Sequence, residues 1–393
     1  MKLNIKPSSE MSKPDSPLGS VEDRLIRISK NLRGKLGFNT GLFLSLKSKT
    51  GNPVVLQIMP AFKADVDTDA ESTWVSNETM KILDVQNMPT LKPAEDILIG
   101  CDPEFFIVDY NVKKMITASH FFYRWGELGS DLGLAELRPR PSSNIDQLTD
   151  NLRVLIEKAN TVLKSRTLFM NRDIKMVAAS CYGDSTSGYA TAGFHVHFGL
   201  PTTILNKTEQ SYNLLVRMTW VLDYYVGVLS ILPEREIDSI RRTMGRSQYG
   251  KPSDFRSDGH TLEYRVPGGH LLRHPVLTKT LLGLSKVVMK DMMTRFSAYS
   301  DGFRKPILLR KYDDLKVFYP NLPDREVLWR AMTSPIPMEA MRMYPNILTD
   351  ITKMVGYEEQ KQTVKEYVKY MEEVYIRNAM FDERMASNWG INQ

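Results

Sequence analysis

Gly193-Phe194-His195-Val196-His197-Phe198-Gly199 alternates large apolar side chains with imidazoles between two glycines. Successive side chains of a β-strand point to opposite faces. This stretch therefore predicts a strand with Phe194, Val196 and Phe198 toward a core and His195 and His197 on the other side. The same two-residue beat recurs in three further segments. Gly100-Cys101-Asp102-Pro103-Glu104-Phe105-Phe106 sets Asp102 and Glu104 on one face, Leu134 to Pro139 does so for Glu136 and Arg138, and Leu262 to Pro267 for Glu263 and Arg265. Beside them stand Phe105, Ile107, Ala135, Leu137, Leu262 and Tyr264. Together these strands predict a sheet with one apolar face and one face of acids, imidazoles and guanidiniums. Pro103 predicts a sheet edge or a bulge, because it cannot donate to a ladder.

Two carboxylates on one strand face repel each other unless protons or a cation neutralise them. Oxygen-rich sites of that kind suit Mg²⁺ or Mn²⁺. Taken alone, Asp102 and Glu104 fit an exposed acidic edge equally well, and one pair such as Glu136/Arg138 is most simply a surface ion pair. A lone buried histidine is usually a satisfied core residue. His195 and His197 are two of only six histidines in the chain and share one face, which points to metal or phosphate oxygens. Residues 234–258 form a polar stretch holding Arg241, Arg242, Arg246, Lys251 and Arg256 together with Tyr249 and Gly250. Guanidinium forks match phosphate geometry. For any single one of these arginines a solvated basic loop is the blander explanation.

The bulk composition is that of a globular protein: 393 residues, 42% hydrophobic, 25% charged and a net charge of +6. Such mild basicity suits an anionic substrate but lacks the concentrated tract of a nucleic-acid binder. The two cysteines, Cys101 and Cys181, have no metal-ligand spacing, and a reducing, cytoplasmic compartment is the natural expectation. The first residues are polar and Ser/Pro/Lys-rich without an apolar signal core. The greasiest stretch, Tyr212 to Leu232, is interrupted by Arg217 and Asp223 and predicts a buried helix rather than a membrane span.

Along the chain, residues 1–20 are expected to be a disordered leader. Residues 21–95 are expected to hold a β hairpin (Leu42–Leu46 and Val54–Met59 around Lys49–Asn52) followed by a surface connector over 63–95. Residues 96–275 carry the chemistry-bearing strands. Within them, a strand at Ile174–Ala179, a loop at Gly183–Ala192, a helix from Ser143 or Asn144 to about Ser165 and another over Thr208–Leu232 are predicted. Residues 276–393 are expected to be helical: Val276–Ala298, Asp324–Met332 and one long amphipathic stretch from Asn346 to Met385.

Taken in order, GCDPEFF, LAELRPRP, GFHVHFG, RR…YG…DFR and LEYRVP resemble the phage-type carboxylate–amine ligase (amidoligase) family of the glutamine synthetase and glutamate–cysteine ligase superfamily. The resemblance covers about residues 97–275. It implies an α+β fold with a curved antiparallel sheet backed by helices, which binds ATP and Mg²⁺ (or Mn²⁺), activates a carboxylate as an acyl phosphate and passes it to an amine. By this resemblance Asp102, Glu104, Glu136 and Glu263 match metal carboxylates. His195 matches a metal or phosphate histidine, with His197 second to it. Arg242 and Arg256 match phosphate-contacting arginines, with His197, Arg241 and Lys251 beside the nucleotide. Arg265 matches the arginine that holds the substrate carboxylate, with Arg138 near it. Asp102 departs from the Glu found in many members of the superfamily. The carboxylate and the amine are each expected to be small or carried on a peptide or protein, with no membrane and no nucleic-acid partner, in a host cytoplasm or on a virion.

Three rival readings stand beside this one. A cupin-type His-x-His metalloenzyme would use Pro267-Gly268-Gly269-His270 as a second motif, but leaves the acids and the arginine loop unexplained. A virion or assembly protein could retain the fold without catalysis. A guanidino-kinase-like reaction would stop at phosphoryl transfer.

Overall fold

The computed structural model describes residues 4–8, 11, 25–36, 43–50, 53–84, 92–93, 97–131, 133–170, 172–184, 188–205, 208–243, 249–257, 261–300, 307, 309, 311–377 and 384–391. Strands β1 (Asn4–Pro7), β2 (Leu25–Ile28), β3 (Phe43–Lys47), β4 (Pro53–Pro60), β5 (Ser72–Val75) and β6 (Lys92–Pro93) form a six-stranded mixed sheet in the order β1-β5-β2-β4-β3-β6. The β3–β4 hairpin is the expected one. The remainder corrects the reading from sequence. Asn4–Pro7, expected in a disordered leader, pairs in parallel with β5. The expected connector contains β5 and the helices Lys63–Thr68 and Asn77–Ile82. Ser76 caps the second helix by accepting the amide of Thr79. All four residues of β5 are buried, so the alternation that marks a half-exposed strand is missing there. Ile5, Ile26, Ile28, Leu32, Leu56 and Ile58 give this sheet a core of its own.

The second sheet is built on β7 (Leu98–Asp109), a 12-residue strand. The others follow in chain order as β8 (Lys114–Ile116), β9 (Leu128–Asp131), β10 (Leu134–Leu137) and β11 (Ile174–Val177). A separate hairpin, β12 (Cys181–Asp184) with β13 (Gly188–Thr191), replaces the loop expected at 183–192. Then come β14 (Phe194–Gly199), β15 (Phe255–Ser257) and β16 (Thr261–Tyr264). The order is β15-β16-β14-β7-β10-β9, with β8 and β11 on the far half of β7. Every pairing in this sheet is antiparallel. Pro103, expected at an edge or a bulge, lies in the central strand opposite Phe194. The ladder between β7 and β10 ends at Glu104, so the missing N–H of Pro103 falls where that ladder has stopped.

The apolar face is the one anticipated. Phe105, Ile107, Ala135, Leu137, Phe194, Val196, Phe198, Leu262 and Tyr264 all enter the main core. Helices back it. Asn144 caps the helix Ile145–Met170 through the amide of Gln147, and Leu148, Leu152, Leu155, Ile156 and Ala159 form its buried stripe. The helical stretch Glu209–Ile231 is long and apolar enough to cross a membrane by composition, yet 89% of its apolar window is buried inside the protein. The helix Pro275–Tyr299 packs between these and the C-terminal helices. The single amphipathic stretch expected from Asn346 is instead two helices, Met338–Ile351 and Tyr357–Arg377. Gly356, at φ +92°, makes the break between them.

Tyr264 is on the core face, and its hydroxyl needs a partner there. Asp223 supplies it at 2.9 Å from within a π-helical turn, Asp223–Gly227, and also accepts Ser253 Oγ at 3.0 Å. Burial pushes the Asp223 carboxyl up to about 7, although both hydroxyls pull the other way. A folded-state value above the unfolded one favours folding most at low pH, and that advantage is lost as pH rises toward 7. Denaturant unfolding of the wild type should accordingly lose stability from pH 5 to pH 8, and Asp223→Asn should flatten that slope. An unchanged slope in the variant would refute the assignment.

Candidate active site

The register of the strands assembles the polar face. Directly opposed residues of an antiparallel pair share a face. His195 stands opposite Asp102, His197 opposite Glu263, Glu104 opposite Glu136, and Arg256 opposite Glu263. Because each strand sends its apolar residues into the main core, these side chains have no other direction to take.

The distances are short. Asp102 Oδ1 lies 2.9 Å from His197 Nε2 and 3.3 Å from His195 Nδ1, which is itself 3.5 Å from Glu263 Oε1. Arg256 grips Glu263 with both Nε (2.6 Å) and Nη2 (2.9 Å). Arg265 Nε is 3.2 Å from Glu263 Oε1, buried and without an aligned hydrogen bond. Asp102, His197 and Glu263 can each offer a ligand atom with all three atoms within 4.8 Å of one another. Glu104 Oε2 accepts the amide of Gly193 and the hydroxyl of Tyr249, each at 2.6 Å. The Tyr249 oxygen is also 2.9 Å from His195 Nε2. Glu136 pairs with Arg138, which also donates to the carbonyls of Arg124 and Gly126.

Electrostatics follow from this crowding. Burial opposes the charge on Asp102, but the imidazoles of His197 and His195 outweigh it and hold the carboxyl well below its usual range. Burial likewise opposes protonation of His195, and the Asp102, Glu104 and Glu263 carboxylates overcome it and raise the imidazole. Glu136 goes the other way. Burial first, then the Asp102 charge, push it up to about 8 against the pull of Arg138. The face gathers four carboxylates and two imidazoles, so its donors are carboxylate oxygens and imidazole nitrogens. That donor set fits a hard divalent cation.

The basic loop divides. Arg256 reaches the cluster with its side chain 63% exposed. Arg242 does not: it is buried, donates to Glu234 at 2.8 Å and to the carbonyls of Met332 and Ser334, and so ties the loop to the C-terminal helices. Arg241 donates to the carbonyls of Val266 and Arg265 at 2.7 Å each, and its guanidinium covers the Tyr249 ring. Lys251 is half-buried, and Arg246 lies outside the described residues. His270 is buried between Ser180 Oγ and the Ser230 carbonyl, and burial pushes it down to about 3, so it does not join the imidazole pair as the cupin reading requires. Tyr249, at the centre of the cluster, stands in the YG of the RR…YG…DFR motif, yet the sequence assigns it no role because it lies in an irregular loop with no strand alternation. A Cβ on Gly193 would fall 2.5 Å from both His195 Nε2 and the Tyr249 oxygen, so only glycine leaves room for this contact.

The family profile of the phage phiEco32-like COOH.NH2 ligase-type 2 proteins matches residues 99–306. The chain belongs to that family. A search of curated proteins finds no match. Similar solved structures include a bifunctional glutathione synthetase from Pasteurella multocida, at 11% identity and TM-score 0.37, covering 75% of this chain and 51% of that one. The chain thus spans about half the length of that enzyme. The complex of the prokaryotic ubiquitin-like protein Pup with its ligase PafA matches at 11% identity and TM-score 0.34, over 75% of this chain and 72% of that one. A glutamine synthase homolog matches at 13% identity and TM-score 0.28, over 69% and 71% of the two chains.

The split within the loop is directly measurable. Arg242→Ala leaves Glu234 buried without its partner and should cost on the order of 3 kcal/mol in denaturant unfolding. Arg256→Ala should cost less than that, about 1 kcal/mol or under, because the Arg256 guanidinium is itself mostly in water and Arg265 remains 3.2 Å from the buried Glu263 to share its charge. Equal losses would contradict the division.

Proposed function

We propose that the protein is an ATP-dependent carboxylate–amine ligase that uses Mg²⁺ or Mn²⁺ and proceeds through an acyl phosphate. The observation that carries this reading is the convergence of Asp102, His197 and Glu263 within 4.8 Å on a face that also holds Glu104, Glu136, His195 and the arginines Arg138, Arg256 and Arg265. Asp102, Glu104, Glu136, Glu263 and His195 would hold the cations, with His197 alongside. The cations would supply charge neutralisation for phosphate oxygens brought up to a carboxylate.

The chain's own residues would do the rest. Arg256, exposed at the rim, is the arginine able to release Glu263 and meet a phosphate. Arg265, with a buried Nε lacking an aligned bond, is suited to orient the substrate carboxylate. Arg138 steadies Glu136, and Arg241 holds the backbone just after β16. Arg242 has no part at the reacting atoms. The carboxylate oxygen would attack the terminal phosphorus, expelling ADP. The amine would then attack the acyl carbon, forming the C–N bond as phosphate leaves and a proton is released. Arginine stabilises the anionic oxygen in both steps. Both substrates can be small molecules or groups on a peptide or protein.

With a suitable acceptor, purified protein should convert ATP to ADP and phosphate together with an amide product, and EDTA should stop it. Glu263→Gln should lower turnover by at least about 100-fold. Arg265→Ala should raise KM for the carboxylate more than KM for ATP. Turnover indifferent to EDTA and to Glu263→Gln would sink the proposal, and a phosphorylated product without amide would favour a kinase reaction.

A further inference from the structure

We propose that Tyr249 is a positioning residue that sets the tautomer of His195, so that Nδ1 is the ring nitrogen offered to a divalent cation beside Asp102 and Glu263. This rests on the cation site assigned above and names the group that prepares it.

A phenol has one hydrogen to give. The partners of the Tyr249 oxygen include Glu104 Oε2 at 2.6 Å and His195 Nε2 at 2.9 Å, and the Arg241 guanidinium, which can only donate, bonds it as well. Glu104 Oε2 already accepts the Gly193 amide at 2.6 Å, and a carboxylate oxygen can only accept. The phenol therefore gives its hydrogen to Glu104, and the hydrogen in its contact with the imidazole comes from Nε2. The other nitrogen, Nδ1, looks toward Asp102 Oδ1 at 3.3 Å and Glu263 Oε1 at 3.5 Å. In the neutral ring it presents a lone pair toward two acceptor oxygens, an arrangement that a shared cation satisfies. The same phenol leaves Glu104 Oε1 as the oxygen without a share in these two bonds. One hydroxyl thus orients two prospective ligands at once, as outer-shell partners do in metal sites.

Tyr249 is itself held in place. The guanidiniums of Arg241 and Arg265 lie 4.4 and 4.8 Å from its ring centre. Gly193 vacates the volume that the phenol and the imidazole share. The loop's contribution to the site is thus a phenol carried on a cationic cradle.

The test uses the full chain labelled with ¹⁵N-histidine, Mn²⁺ alone as the probe, and Tyr249→Phe. Long-range ¹H–¹⁵N spectra of the metal-free protein at alkaline pH, with His195 identified by its loss in His195→Gln, should show the Nε2–H tautomer. In Tyr249→Phe that pattern should change to a mixture or to Nδ1–H, and Mn²⁺ affinity, read from the free-ion EPR signal, should fall by about 10–100-fold. Circular dichroism and melting should stay near wild type. An Nδ1–H ring in the wild type, or an unchanged tautomer with unchanged Mn²⁺ affinity in the variant, would overturn the proposal. The wild-type spectrum decides even if the variant does not fold. Should the wild type take up no Mn²⁺, the cation site itself fails, while the tautomer still reports on Tyr249.

Discussion

Like charge held close together governs this protein. Asp102, Glu104, Glu136 and Glu263 come from three different strands yet are gathered on one face, and all but Asp102 are buried. Moving carboxylates out of water costs several kcal/mol each unless partners compensate. The partners are visible: two imidazoles about Asp102, a bidentate arginine on Glu263, a phenol and an amide on Glu104, an arginine on Glu136. The apolar undersides of the same strands anchor the arrangement by entering the main core. Without that anchoring, repulsion would splay the strands.

The central sheet was legible because its strands are amphipathic and their period is two. His195/His197, Glu263/Arg265 and Glu136/Arg138 each declare a face, and the structure places those faces together. What could not be read is which partner lies opposite which, since register comes from pairing between distant segments. The N-terminal sheet was largely hidden for a related reason. A four-residue strand buried throughout, such as Ser72–Val75, carries no alternation, and two-turn helices beside it give too little periodicity to separate them from loops.

The basic loop illustrates a different limit. Its arginines are alike in sequence, yet Arg242 spends its donors on Glu234 and two carbonyls while Arg256 stands at the rim. Five donors on one planar group serve equally to hold a loop or to meet a phosphate. Only the surroundings decide. Tyr249 was obscured for the same reason: nothing local marks a tyrosine whose hydroxyl will meet residues from two strands.

The contacts that complete the cluster are far apart along the chain. His197 and Asp102 are 95 residues apart, and Tyr249 and Glu104 are 145 apart. Chain closure over such spans is slow, because the entropy is lost before the contact rewards it. During synthesis β7 emerges with its acids long before the imidazoles, the arginines and the phenol that compensate them. β8, β10 and the helix Ile145–Met170 can cover its apolar side early, while Asp102 and Glu104 still lack their later partners. Charge on the open side of such a strand is the kind that disfavours pairing with another chain in the interval.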